Sequence, residues 1–139
     1  MEARLVMEPG IVRIATERAT NDDFAVLQEI LDSCFRSVRA KDYDFKQGFS
    51  FHDALFRIAG NRILIEVVDN LKEKLVGVRR DIFFKHVDEK VFLDELNEHQ
   101  QILSLMKVGN QDEAARIMES HISMSLQRIK LQVNKARPD

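Results

Sequence analysis

Three of the chain's four histidines stand where apolar helix faces are expected. His52 lies in the row Phe45, Phe49, Phe56, Ala59; His99 in Phe92, Leu96, Leu103, Met106; and His121 in Ala114, Ile117, Met118, Met124, Ile129. Steps of three or four residues put side chains on one face of an α-helix. A single histidine on such a face is ordinarily a core residue whose ring nitrogens find backbone or side-chain partners. Three converging imidazoles are harder to satisfy in a dry interior, because each neutral ring brings one donor and one acceptor. His99 precedes Gly109 by ten residues and His121 follows it by twelve. At about 1.5 Å per residue they stand roughly 15 and 18 Å from a turn at that glycine. In an antiparallel pair the two rings meet, and His52 joins them if its helix packs alongside. Three imidazoles suit a divalent transition metal, zinc or nickel foremost, with copper and iron also compatible, and they leave positions open for water or a ligand. His86 follows Phe83-Phe84-Lys85 at a helix end, where a histidine serves the last carbonyls, and is left out of the site.

Other chemistry is thinly represented. A di-iron carboxylate bundle needs Glu-x-x-His pairs on two helices, but the residues three before His99 and His121 are Leu96 and Met118. Glu98 is adjacent to His99 and rotated by about 100° around the helix, so it is assigned to the solvated face. The sequence contains neither a glycine-rich phosphate loop nor a serine-nucleophile elbow. An enzyme would need a general base beside the metal, and the inward rows of the third, fifth and sixth helices offer no carboxylate. The expectation is therefore a non-enzyme. A metal-dependent bundle enzyme and a metal-free interaction bundle remain the alternatives.

The histidine faces presuppose long helices, and the composition supplies them. With 5 Gly and 2 Pro in 139 residues, turns are scarce; 45% hydrophobic residues fill one core and 32% charged residues keep its exterior wet. Six helices are expected, at roughly 2–18, after Thr20-Asn21-Asp22 through Val38, and at roughly 43–59, 62–84, 89–108 and 111–135, packed as a single all-α antiparallel bundle over 1–139. Pro9-Gly10 predicts a kink or restart in the first. The second buries Phe24, Leu27, Leu31, Cys34 and Val38, and the fourth carries Leu64, Val68, Leu71, Leu75, Val78 and Ile82. A net charge of −2 excludes a surface that is basic throughout, as a nucleic-acid footprint would be. The single Cys34 excludes an internal disulfide and fits a reducing, cytoplasmic setting, and no apolar run reaches the roughly 18 residues of a membrane span.

Several separated segments also agree with one known family. Phe51-His52-Asp53-Ala54-Leu55-Phe56-Arg57-Ile58-Ala59-Gly60-Asn61, Glu98-His99-Gln100-Gln101-Ile102-Leu103, Gly109-Asn110-Gln111-Asp112-Glu113-Ala114-Ala115 and His121-Ile122, with the opening Glu8-Pro9-Gly10-Ile11-Val12-Arg13-Ile14-Ala15, occur in one order along the chain. Together they resemble the effector-binding (FCD) C-terminal domain of GntR-type bacterial transcription regulators of the FadR subfamily. The resemblance implies a ligand-sensing and dimerisation bundle that binds a small effector, commonly a carboxylate, beside a metal held by three histidines and one aspartate. It further implies a homodimer that reaches operator DNA only through an N-terminal winged-helix domain outside residues 1–139, with 1–8 as the end of the linker. The family's histidines fall on His52, His99 and His121. Its aspartate position, one turn before the first histidine, is Gly48, so partial metal occupancy is expected, with the vacant position filled by water, by an effector carboxylate or not at all. Asp44 and Asp69 are remote substitutes. Effector contacts are expected from Arg4, Arg79 and Asn61; for Arg79, simple helix arithmetic requires an oblique or bent fourth helix.

Overall fold

Long amphipathic rows and scarce turn residues produce six helices in this computed structural model: α1 (Glu2–Arg18), α2 (Asn21–Arg39), α3 (Gln47–Ala59), α4 (Arg62–Phe83), α5 (Glu89–Lys107) and α6 (Gln111–Ala136). The structure describes residues 2–43, 46–83 and 89–136, without the side chains of 75, 78–83, 132, 133, 135 and 136. Among the described residues there is no strand, and no helix is long and apolar enough to cross a membrane. The fold is an all-α antiparallel bundle.

Local chemistry sets the boundaries. Thr20, extended at φ −90° and ψ 170°, accepts from the Asp23 amide at 3.2 Å while Asp23 Oδ2 accepts from the Thr20 amide at 2.8 Å. This capping box satisfies two amides that have no intrahelical partner and starts α2. Gly60 ends α3 in the left-handed region, at φ 70°. Immediately after it, Asn61 Oδ1 accepts from the amides of Ile63 and Leu64 at 3.1 and 3.2 Å and opens α4. A Cβ added at Gly60 would meet its nearest atoms at 3.8 Å, an ordinary contact, so only the backbone conformation resists a side chain there. Gly60→Ala is accordingly expected to cost about 1 kcal/mol in urea unfolding with helicity unchanged; a loss near zero would show that the turn relaxes without strain.

Some sequence expectations are revised. α1 runs without restart from Glu2 to Arg18 through Pro9. Packing against α3, α5 and α6 through Arg4, Glu8, Ile11, Val12 and Ala15 offsets the hydrogen bond that proline forfeits. Residues 2–8 lie within this helix, as expected for 2–18, and Arg4 and Glu8 are buried. α3 begins at Gln47 instead of near 43, and Lys46 before it provides no side-chain cap. Phe45 and Asp44 lie outside the described residues. On α6, Met124 is 43% exposed while Ile122 and Ser125 turn inward, since α6 packs on α1, α4 and α5 and buries a band wider than one row.

Among the described residues the core joins five helices, with Val12, Leu27, Leu31, Phe51, Leu55, Phe56, Leu96, Ile102, Leu103, Met106, Met118 and Ile122 fully enclosed. α4 lies outside that core against α3 and α6, and its row Leu64, Val68, Leu71 is half-buried. Leu75, Val78 and Ile82 fall outside the described side chains. Arg18 ties α1 to the end of α3 by donating to the Ala59 carbonyl.

Candidate functional site

Antiparallel packing across the Gly109 turn brings His99 and His121 to one level, and their Nε2 atoms stand 3.1 Å apart. α3 delivers His52 beside them, with ring centroids 4.7 Å from His99 and 5.3 Å from His121. All three side chains are buried, and one ligand atom from each lies within 4.8 Å of the other two. Phe51 stacks on His99 at 4.7 Å and encloses the cluster on one side. Two imidazole nitrogens bound to one zinc at about 2.1 Å in tetrahedral geometry stand about 3.4 Å apart. The donor set and its spacing therefore fit a divalent metal, with His52, His99 and His121 as its holders.

Charged residues surround the cluster more closely than the sequence reading allowed. Glu8, 2% exposed, presents Oε2 at 2.5 Å from His52 Nδ1. Arg4, 3% exposed, donates through Nε to Glu8 Oε1 and places Nη2 at 3.1 Å and 3.3 Å from the two ring nitrogens of His52. Burial pushes the Glu8 carboxyl up, but attraction to His52 and Arg4 and hydrogen bonds from both outweigh it and hold the group well below the ordinary carboxylate range. Glu98 reaches from α5 to α6, with Oε2 at 2.5 Å from His121 Nδ1. Its carboxyl is raised by burial, against the pull of Arg128 and with the push of Asp94. Glu95, 5% exposed, accepts from Arg128 at 3.3 Å.

Two expectations are thereby corrected. Glu98 is not simply on the solvated face: the 100° step from His99 points it into the α5–α6 groove, and its long side chain spans to His121. The fifth helix also does offer inward carboxylate, at Glu95 as well as Glu98. Glu8 was missed altogether, although Arg4, Glu8, Ile11 and Ala15 repeat at helical spacing and could have been read as one face.

The remaining sequence candidates divide. Arg4 joins the site. Asn61 is exposed, and its side-chain oxygen caps α4. Arg79 lies on α4, but its side chain is outside the described residues, as is His86. Gly48 is buried on α3 one turn before His52. Asp69 accepts from Arg57 at 3.0 Å with half its side chain exposed, and it is not part of the histidine cluster. Beside His52, a cavity between α1, α3 and α4 is lined by Arg4, Glu8, Phe49, His52, Val68 and Leu71, with room for about one water molecule.

Comparison with known proteins adds independent findings. Residues 1–124 match the FCD domain family. The chain is 25% identical over 122 residues to the HTH-type transcriptional repressor NanR of Salmonella schwarzengrund, covering 88% of this chain and 46% of that protein. The protein of the same name from Salmonella typhimurium matches to the same extent. The chain thus spans about half the length of the curated relatives it matches. Among solved structures, Streptococcus agalactiae GntR gives a TM-score of 0.76 over 91% of this chain and 56% of that chain; at 23% identity the likeness is one of fold.

Proposed function

The chain belongs to the FCD domain family, and from that membership we propose that it is the ligand-sensing and dimerisation domain of a GntR-type, FadR-like bacterial transcription regulator. It binds a small carboxylate effector beside a divalent metal, zinc or nickel, held by His52, His99 and His121. The observation that carries this reading is the convergence of three buried imidazoles within 4.8 Å, with the Arg4 guanidinium packed against one of them. The domain is non-enzymatic and cytoplasmic and acts as a homodimer. DNA is contacted through a winged-helix domain outside residues 1–139, since a net charge of −2 provides little to neutralise phosphates.

When bound, the metal supplies an electrophilic anchor for a carboxylate. The chain's own residues do the selecting. Arg4 offers a fixed, buried cation next to His52, and Gly48, where the family resemblance implies an aspartate, contributes no ligand. An effector carboxylate or water takes that position. Because the cavity beside His52 admits about one water, an effector has to displace the half-buried Val68 and Leu71 side chains of α4. Such a displacement shifts the bundle between two states, which is the event a regulator transmits.

Calorimetric titration with a panel of small mono- and dicarboxylates, on zinc-loaded and on chelator-treated protein, tests the reading. At least one carboxylate is expected to bind the zinc-loaded form about 10-fold or more tightly than the stripped form, a coupling of about 1.4 kcal/mol. Equal affinity in both forms would separate effector binding from the metal, and no binding in either would remove the sensor reading. Light scattering of the same protein is expected to give a dimer, and duplex DNA is expected to leave it unbound at micromolar concentration.

A further inference from the structure

We propose that Glu8 and Glu98 are positioning residues for the metal: each accepts the Nδ1–H of one ligating histidine, His52 and His121 respectively, and so turns Nε2 of that ring to the ion. The proposal rests on the three-histidine reading above and concerns two residues outside the ligand set.

A carboxyl oxygen 2.5 Å from an imidazole nitrogen shares one hydrogen with it, and the geometry assigns that hydrogen to Nδ1 with the carboxylate as acceptor. In a neutral imidazole the other nitrogen then holds the lone pair. For His121 that nitrogen is Nε2, which faces His99 Nε2 at 3.1 Å, inside the cluster. For His52 it is again Nε2; Arg4 Nη2 lies beside both ring nitrogens, at 3.1 Å from Nδ1 and 3.3 Å from Nε2, so the assignment rests on the 2.5 Å contact of Nδ1 with Glu8. Arg4 also grips both Glu8 oxygens, donating through Nε to Oε1 and through Nη2 to Oε2 at 3.3 Å, and Oε2 faces the ring at the shorter distance of 2.5 Å. The carboxylates come from two different helices, α1 and α5, and orient rings on two others, α3 and α6. Rings clamped in this way do not have to be reoriented when a metal arrives, and the hydrogen bond to carboxylate raises the basicity of the coordinating nitrogen. Where the family resemblance implies four protein ligands, this chain has glycine at the fourth position, so orientation of the remaining three carries more of the affinity.

Zinc affinity is read by competition with a chromophoric chelator for wild type, Glu98→Gln, Glu98→Ala and Glu8→Gln. Imidazole tautomers are read by long-range proton–nitrogen NMR on the metal-free proteins. Wild type is expected to show the Nδ1–H form at His52 and His121. Glu98→Ala is expected to bind zinc about 10- to 100-fold more weakly, with His121 no longer held in one tautomer. Glu98→Gln, whose amide oxygen still accepts from Nδ1, is expected to restore the tautomer and part of the affinity. Glu8→Gln is expected to act likewise at His52. Glu98→Gln keeps an acceptor for the buried His121 Nδ1–H and is expected to retain the wild-type melting temperature when metal-free, whereas Glu98→Ala leaves that donor unsatisfied and is expected to melt lower. Zinc affinities equal to wild type in the Glu98 variants, or an Nε2–H tautomer at either ring in wild type, would overturn the proposal and leave the metal reading intact. Failure of wild type itself to bind zinc would overturn the metal reading, and this proposal with it.

Discussion

His99→Ala is expected to weaken zinc or nickel binding by more than about 100-fold, beyond the range that loss of an outer-shell partner produces. His99 is the hinge of the cluster, with its ring centroid 4.7 Å from that of His52 and 4.5 Å from that of His121. Two imidazoles remain after its removal, and Gly48 offers no side-chain ligand to replace it. The same loss has a thermal signature. A metal held at 100 times its dissociation constant stabilises the native state by about 2.7 kcal/mol. Chelator-treated wild type should therefore melt several degrees higher once metal is restored, whereas the variant should not respond. Parallel titrations of chelator-treated wild type and variant provide the measurement. Equal binding by both, or none by either at micromolar metal, would leave the three histidines as ordinary core residues and reduce the function to effector binding without metal.

Arg4→Met is expected to destabilise the fold by about 3 kcal/mol, because it leaves the Glu8 carboxylate buried without its guanidinium partner. Both side chains are almost wholly enclosed, with exposures of 4% and 3%. Their Coulomb attraction is thus poorly screened, in contrast to an exposed pair such as Arg13–Asp112, which is worth little. His52 stays beside Glu8 and softens the loss, which places the expectation at the lower end of the range for broken buried pairs. The double variant Arg4→Met/Glu8→Leu removes both charges and fills similar volume, and most of the lost stability should return. Urea unfolding of the metal-free proteins reads both changes. A double variant as unstable as the sum of its parts would mean that each side chain acts through packing and not through the pair.

The helices and their inward faces were legible in the sequence because they depend on local physics. Helical periodicity and the glycines at 60 and 109 act within a few residues of one another, and nothing distant has to be known to read them. The meeting of His99 and His121 followed from counting residues to a shared turn. The rest required the tertiary structure. A charged residue on a helix is solvated unless a neighbouring helix covers it, and the packing of α1 against α3, α5 and α6 buries Arg4 and Glu8. The packing of α6 along α5 likewise gives Glu98 a histidine to hold. The sequence by itself thus determined which imidazoles face the core. Only the assembly of the helices decided which carboxylates and which guanidinium stand beside those rings, because burying a charge depends on the partners that packing brings within hydrogen-bond reach.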